Sequence, residues 1–312
     1  MDCQPLKISY TSGSNEIRGF LFLPRNVPST AAVIVCHGAF EFKERYREMG
    51  TYLADAGIAA LIPDMNGHGE SGGDRYHVSI SRWIEDIRRG IDYLGTRGDT
   101  RGLKTAAFGV STGGTAVIET ALVEPRIDAL ILLAPTVRNM MTPAEQLAYY
   151  VLLPFGYIKK YLTGRPLKIP LSELMKKKRM VRDDVLQCAM IKDPAFLASY
   201  LPIPGAHQAS IVDTVKRAGA VRVPTLVMHG EDDEVDRPDS SRRFFEGLRC
   251  DRKLILLPET GHLGCVDRHR SAVYEHTAEW IRRCAGHGRN GETVPAGRNR
   301  AVPVPDDGQM KG

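Results

Sequence analysis

Hydrophobic and polar positions along the chain change period in a regular way. Residues 31–36 (AAVIVC) and 58–62 (IAALI) are unbroken apolar runs, the pattern of strands buried on both faces of a parallel sheet. Between them, residues 44–56 have helical spacing that stops at Gly57. Residues 80–94 place apolar side chains at 80, 83, 84, 87, 91 and 94, a helical stripe with Arg and Asp on the opposite side. The alternation recurs: strand at 103–110, helix at 112–123, strand at 127–134. After a long interruption come strand 225–229, helix 240–248, strand 253–257 and helix 266–284. Two β-rich runs at 6–10 and 17–23, separated by Ser, Gly and Asn, predict an antiparallel hairpin at the start. The fold class is therefore α/β, a mostly parallel central sheet with helices on both faces. Ligands in such sheets bind beyond the carboxyl ends of the strands, so the residues just after each strand matter most.

Residues 136–220 break this rhythm. Helical patterns at 143–153 and 184–200 are cut by Pro154, Pro166, Pro170, Pro202 and Pro204. A structureless loop of that length would be out of place in a compact domain. The segment is expected to be a mainly helical cap inserted over the sheet, with the core formed by 1–135 and 221–285. Residues 286–312, rich in Gly, Pro, Arg and Asp, are expected to be a disordered tail. The cap holds 13 Lys or Arg against 6 Asp or Glu, while the whole chain carries a formal +5. These cations fit solvated helix faces, or a field that steers an anionic substrate or carrier. Nucleic acid is disfavoured, because no aromatics interleave with them.

There is no run of 18 apolar residues, so no membrane span is expected. The first residues lack the basic and apolar regions of a signal peptide, and cytoplasmic residence is the expectation. Six cysteines at 3, 36, 188, 250, 265 and 284 form no CxxC pair and are expected to be reduced thiols.

The strand at 103–110 ends in Gly109-Val110-Ser111-Thr112-Gly113, followed at once by a helix. G-x-S-x-G between a buried strand and a helix is the setting of a nucleophilic serine lifted clear of the sheet. A serine needs a base, and of nine histidines His262 lies on the loop leaving the last strand. His269 and His276 fall in a helical pattern, His207 in the cap, His287 in the tail, and His229 ends a strand beside Gly230 where packing or turn support is expected. The imidazole in turn needs a carboxylate, and Glu231-Asp232-Asp233-Glu234 follows the strand at 225–229. Position alone leaves Asp232 and Asp233 open. Backbone donors for an oxyanion are expected from Thr112 and, after the turn at Gly38, from Ala39. The run from Asp64 to Gly73 (DMNGHGESGG) has neither a phosphate-loop ending nor metal-ligand spacing, which points to a structural turn.

Taken together, HGAF at 37–40, DMNGHGESGG at 64–73, GVSTGG at 109–114, HGEDDEV at 229–235 and TGH at 260–262 resemble the α/β-hydrolase superfamily. The resemblance covers about residues 6–284 apart from the cap. It is nearest to the branch of monoacylglycerol-lipase-like enzymes, cinnamoyl and feruloyl esterases, acyl thioesterases and proline-iminopeptidase-like members. It implies an α/β-hydrolase fold with a Ser111–Asp233–His262 triad, because the acid in that branch commonly stands third after the glycine of the HG pair. Ala39 and Thr112 correspond to the oxyanion donors, and Asp64 to Ser71 to a loop-holding segment. Asn66 stands where Arg is frequent, and Phe40 follows Ala39 where an aromatic often comes first. A serine nucleophile departs from the aspartate of dehalogenases and epoxide hydrolases in the superfamily.

The activity so implied is hydrolysis of an ester or thioester of a largely apolar acyl compound, free or carrier-bound, through an acyl-enzyme, with no cofactor and no metal. Phe40, Tyr149, Leu153, Phe155 and Tyr157 are candidate pocket walls, or else pack the cap on the core. An acyltransferase or cyclase, an aminopeptidase-like amidase, and a ligand-binding protein on a hydrolase fold are the alternatives. Oligomeric state is left open, a homodimer included.

Overall fold

The computed structural model describes residues 4–25, 27–138, 142–176, 178–203 and 213–286. The expected tail from residue 287 on, together with Cys3 and His207, lies outside them, while Gly286 closes the last helix.

Eight strands form one sheet in the order β1-β2-β4-β3-β5-β6-β9-β10. They are β1 (Leu6–Ser12), β2 (Asn15–Phe22), β3 (Ala31–Cys36), β4 (Ile58–Pro63), β5 (Thr105–Val110), β6 (Ile127–Leu133), β9 (Thr225–Gly230) and β10 (Arg252–Leu257). β1 and β2 pair antiparallel as a hairpin, β2 joins β4 antiparallel, and all other pairings are parallel. The apolar runs in β3, β4, β5 and β9 are buried at every residue because helices cover both faces. Two apolar layers result. One packs α1 (Arg47–Asp55) and the last helix, α9 (Arg270–Gly286), on the sheet through Leu53, Phe108, Ile131 and Trp280. The other packs α2 (Ile80–Thr96), α3 (Thr112–Ala121) and α8 (Pro238–Gly247) through Trp83, Ile87, Val117 and Phe244.

Element ends differ from the periodicity where side chains claim backbone groups. The last helix begins at Arg270 rather than 266. The buried carboxylate of Asp267 accepts from the amides of Gly261, Arg268, Arg182 and Asp183 at 2.8–3.1 Å, and so holds a turn. The helix expected from residue 44 opens with a 3-10 turn at Lys43–Tyr46.

Between β6 and β9 the chain leaves the sheet to build the cap. Its first helix, α4 (Pro143–Thr163), starts on a Thr142/Glu145 capping box and ends on Gly164 at φ +67°. Pro154 does not cut it, contrary to the expectation from sequence. Pro154 and Tyr150, whose carbonyl loses its usual partner, are both exposed, and water can satisfy that group. The expected helix at 184–200 is two, α6 (Asp184–Lys192) and α7 (Pro194–Ala198), because Asp193 accepts from the Ala195 amide and restarts the helix ahead of Pro194. The cap also includes a short helix α5 (Leu171–Leu174) and an antiparallel pair, β7 (Lys168–Pro170) with β8 (Tyr200–Pro202). No helix among the described residues is long and apolar enough to cross a membrane. The five described cysteines are free.

Candidate active site

Ser111 sits between β5 and α3 at φ 52°, ψ −123°. A non-glycine residue held in that region costs about 1–3 kcal/mol, and the surroundings enforce it. The Ser111 amide donates to the Leu133 carbonyl at 3.1 Å, while the Ser111 carbonyl accepts from Gly114 at 2.9 Å and Thr136 at 3.0 Å. Glycine at 113 is required by close approach. A Cβ there would fall 2.3 Å from the Cys36 carbonyl oxygen and 2.4 Å from that of His37. The elbow is thus pressed onto the loop that follows β3.

That loop is built by buried polar groups. His37 Nε2 accepts from the Met65 amide at 2.9 Å, so Nδ1 carries the hydrogen and donates to the Gly38 carbonyl at 2.7 Å. Burial lowers the His37 pKa, which keeps the ring neutral. The Gly38 amide donates to Glu41 Oε2 at 2.9 Å. A Cβ on Gly38 would meet that oxygen at 2.8 Å and the Ser111 Cβ at 3.2 Å. The loop after β3 therefore lies directly against Ser111. The 64–73 run secures the same loop. Asp64 accepts from the Lys43 amide at 2.8 Å, the Lys43 ammonium at 2.6 Å and the Glu70 amide at 2.9 Å, and the Ser71 hydroxyl donates to the Asp64 carbonyl. Burial would lower the Lys43 pKa, yet the facing carboxylates push it up to about 12.

At the other side of the sheet edge, His262 Nδ1 lies 2.7 Å from Asp233 Oδ2, with both residues buried. Asp232 is exposed and pairs with Arg182 at 3.4 Å, so the two acids left open by position are distinguished by geometry. Asp233 Oδ1 accepts from the amides of Val235 at 2.8 Å and Asp236 at 2.9 Å. Burial alone would raise the Asp233 carboxyl. The facing His262 and His229 rings outweigh it and hold the group well below the usual carboxylate range. Burial likewise works to lower His262, and the Asp233 carboxylate, with Asp236 and Glu41 beyond it, pushes it up to about 9.

His229, expected to pack or to support a turn, does hold the loop after β9: Nε2 lies 2.7 Å from the Asp236 carbonyl and 3.0 Å from Asp233 Oδ2, and Nδ1 2.7 Å from the Ser241 hydroxyl. Two groups of this constellation were missed by sequence reasoning. Thr136 and Asp236 join Ser111 in a hydrogen-bonded line, Ser111 Oγ to Thr136 Oγ1 at 3.2 Å and Thr136 Oγ1 to Asp236 Oδ2 at 2.6 Å. The position of Thr136 just after β6 was the one available signal for it.

The candidate pocket residues scatter. Phe40 lies against Tyr76 and His68, with ring centroids 5.9 and 6.5 Å away. Tyr149 and Leu153 pack with Ile203 and Leu201 in a small core of the cap's own, the packing alternative. Phe155 and Tyr157 are 61% and 50% exposed. A cap cavity of about 400 Å³ is lined by residues such as Met175, Lys178, Arg179 and Phe196, and by none of Ser111, Ala39 or Thr112. Among the described residues no group of His, Cys, Asp and Glu could hold a metal ion.

A serine on a strained strand-to-helix elbow, a His–Asp pair at the same sheet edge and an inserted cap define the class, an α/β hydrolase of the serine-hydrolase type. The chain belongs to the serine aminopeptidase S33 family, whose model matches residues 27–268. It is 23% identical over 251 residues to a carboxylesterase of Bacillus subtilis, covering 80% of this chain and 92% of that protein. It is 25% identical over 264 residues to a monoacylglycerol lipase of Mycolicibacterium smegmatis, covering 80% and 87%. Among solved structures, a monoacylglycerol lipase of Paleococcus ferrophilus superposes with a TM-score of 0.69 at 23% identity, covering 86% of this chain and 99% of that one.

Proposed function

We propose that the protein hydrolyses carboxylic esters or thioesters of largely apolar acyl compounds through an acyl-enzyme on Ser111. The observation that carries this reading is the buried 2.7 Å contact between Asp233 and the Nδ1 of His262 at the sheet edge that also presents the Ser111 elbow. Because Nδ1–H donates to Asp233, the lone pair of Nε2 is left to take the Ser111 proton. Serine then attacks the carbonyl, and the amides of Ala39 and Thr112 receive the oxyanion. His262 returns the proton to the leaving group, and afterwards takes one from the water that releases the acid. The apolar acyl preference is supported by the esterase and lipase relatives and by the apolar residues of the cap. An aminopeptidase would need acidic groups in the cap to receive a free amino terminus, and the cap is net basic. A transferase reading is favoured by one relative, a polyketide transferase of Stachybotrys chlorohalonatus, 20% identical over 266 residues. Product analysis with alcohols or amines present decides whether water is the acceptor.

The test is a panel of p-nitrophenyl esters, acyl thioesters and aminoacyl amides with wild type and Ser111→Ala. Short and medium esters should be cleaved, amides poorly, and the alanine variant should lose about 10⁴-fold or more of kcat. Ester hydrolysis that survives unchanged in Ser111→Ala would remove the nucleophile. The pH profile gives a second check. The base works only when neutral, and its pKa is raised, so it is silenced by protonation below about 9. Ester kcat/KM should climb about tenfold per pH unit from neutrality towards that value. A flat profile over this range contradicts the raised pKa of His262.

A further inference from the structure

Asp233 and Asp236 stand three residues apart on the loop after β9 and address different members of the site. The Asp233 carboxylate accepts from the Asp236 amide, and His229 Nε2 lies 2.7 Å from the Asp236 carbonyl, so the loop is pinned from both sides. Asp236 is buried and directs Oδ2 to the Thr136 hydroxyl at 2.6 Å. That distance is the one found when a hydroxyl donates to an ionised carboxylate. Thr136 has a single hydroxyl proton. With that hydrogen donated to Asp236, its lone pairs face Ser111 Oγ at 3.2 Å and can accept a hydrogen bond from the serine, which keeps its proton until His262 takes it. The backbone makes the same approach. The turn after β6 holds Ala134 at φ +43°, and the Thr136 amide donates to the Ser111 carbonyl at 3.0 Å.

We propose that Thr136, oriented by Asp236, is a positioning residue that fixes the rotamer of Ser111 Oγ. This rests on Ser111 as nucleophile and His262 as base. Asp236 is thus the acid that reaches the nucleophile, through Thr136. Burial raises its pKa, opposed by His262 and by the Thr136 hydroxyl.

Substitutions in the full chain test this role. Thr136→Val keeps the shape and removes the hydroxyl. Ester kcat should fall roughly tenfold with KM and the pH midpoint unmoved, and Thr136→Ser should restore it. Asp236→Ala removes the acceptor that orients Thr136 and should lower kcat in the same direction, with folding of each variant judged by circular dichroism. A Thr136→Val enzyme with kcat at or above wild type overturns the positioning role. Labelling of wild type by a fluorophosphonate separates the levels. A labelled, active wild type with indifferent variants sinks this inference alone, whereas an unlabelled and inactive wild type sinks the hydrolase reading with it.

Discussion

The sheet core and the cap differ in where their large apolar side chains end up. In β3, β4, β5 and β9 every residue is buried, and burial on two faces stabilises each element. In α4, by contrast, Tyr149 and Gly156 are the buried residues, while Leu147, Val151, Phe155, Ile158 and Leu162 are exposed. The cap is attached by the apolar side chains of Met180, Val181 and Met190, which join one layer of the core, and by polar seams. The Leu263 amide donates to the Met180 carbonyl at 2.9 Å, and Asp267 collects the amides of Arg182 and Asp183 from the cap and of Gly261 from the His262 loop. Tyr76 meets Tyr200 edge-on, and Ser199 donates to the Tyr76 hydroxyl at 3.2 Å. Stability is thus concentrated in the core, while the placement of the cap relative to the site depends on one short apolar contact and a few hydrogen bonds.

Breaking a buried pair in the core should have the largest effect on stability. Lys43 and Asp64 have side chains 1% and 0% exposed and lie 2.6 Å apart. Lys43→Met leaves the Asp64 charge buried without its cation and should cost about 3–5 kcal/mol in denaturant unfolding. A loss under about 1 kcal/mol would show that the core does not depend on this pair. The seam comes next. Asp267→Ala removes the acceptor of four amides and should cost about 1–3 kcal/mol. Because one of those amides belongs to Gly261, ester kcat/KM should fall along with the melting temperature, and proteolysis should reach the cap first. Unchanged kcat/KM would uncouple the seam from the site.

The same contrast decides what was legible in the sequence. Strands buried on both faces leave unbroken apolar runs, and G-x-S-x-G states its own strand–turn–helix context, so the sheet, Ser111 and His262 could be assigned from pattern. The cap offers no such runs. Lys168–Pro170 and Tyr200–Pro202 are three-residue strands containing proline, too short for any period to register. Pro154 was misleading because the helix passes it on an exposed face. Thr136 and Asp236 were hidden for another reason. In Glu231-Asp232-Asp233-Glu234-Val235-Asp236 nothing in the pattern says which acids turn inward, and it is the hydrogen bonds at Asp233 that turn Asp236 towards Thr136. Burial of a polar residue is decided by tertiary partners, which periodicity does not record.

The smallest expected effect lies on the face of α4 turned to solvent. Tyr161 is 90% and Leu162 73% exposed. Truncating either removes little area that folding had hidden from water, so Tyr161→Ser and Leu162→Ser should each change unfolding free energy by no more than about 0.5 kcal/mol. Helix propensity works in the same small range, since serine is only slightly poorer than leucine in a helix. A leucine fully buried in β6, such as Leu132, should instead lose about 2–5 kcal/mol on truncation to alanine. The measurement that sharpens the contrast is therefore the pair of unfolding curves for Leu162→Ser and Leu132→Ala under one set of conditions. If the α4 variant lost as much as the β6 variant, the outer face of the cap helix would have to be covered in solution, and the division between a buried core and a seam-held cap would fail.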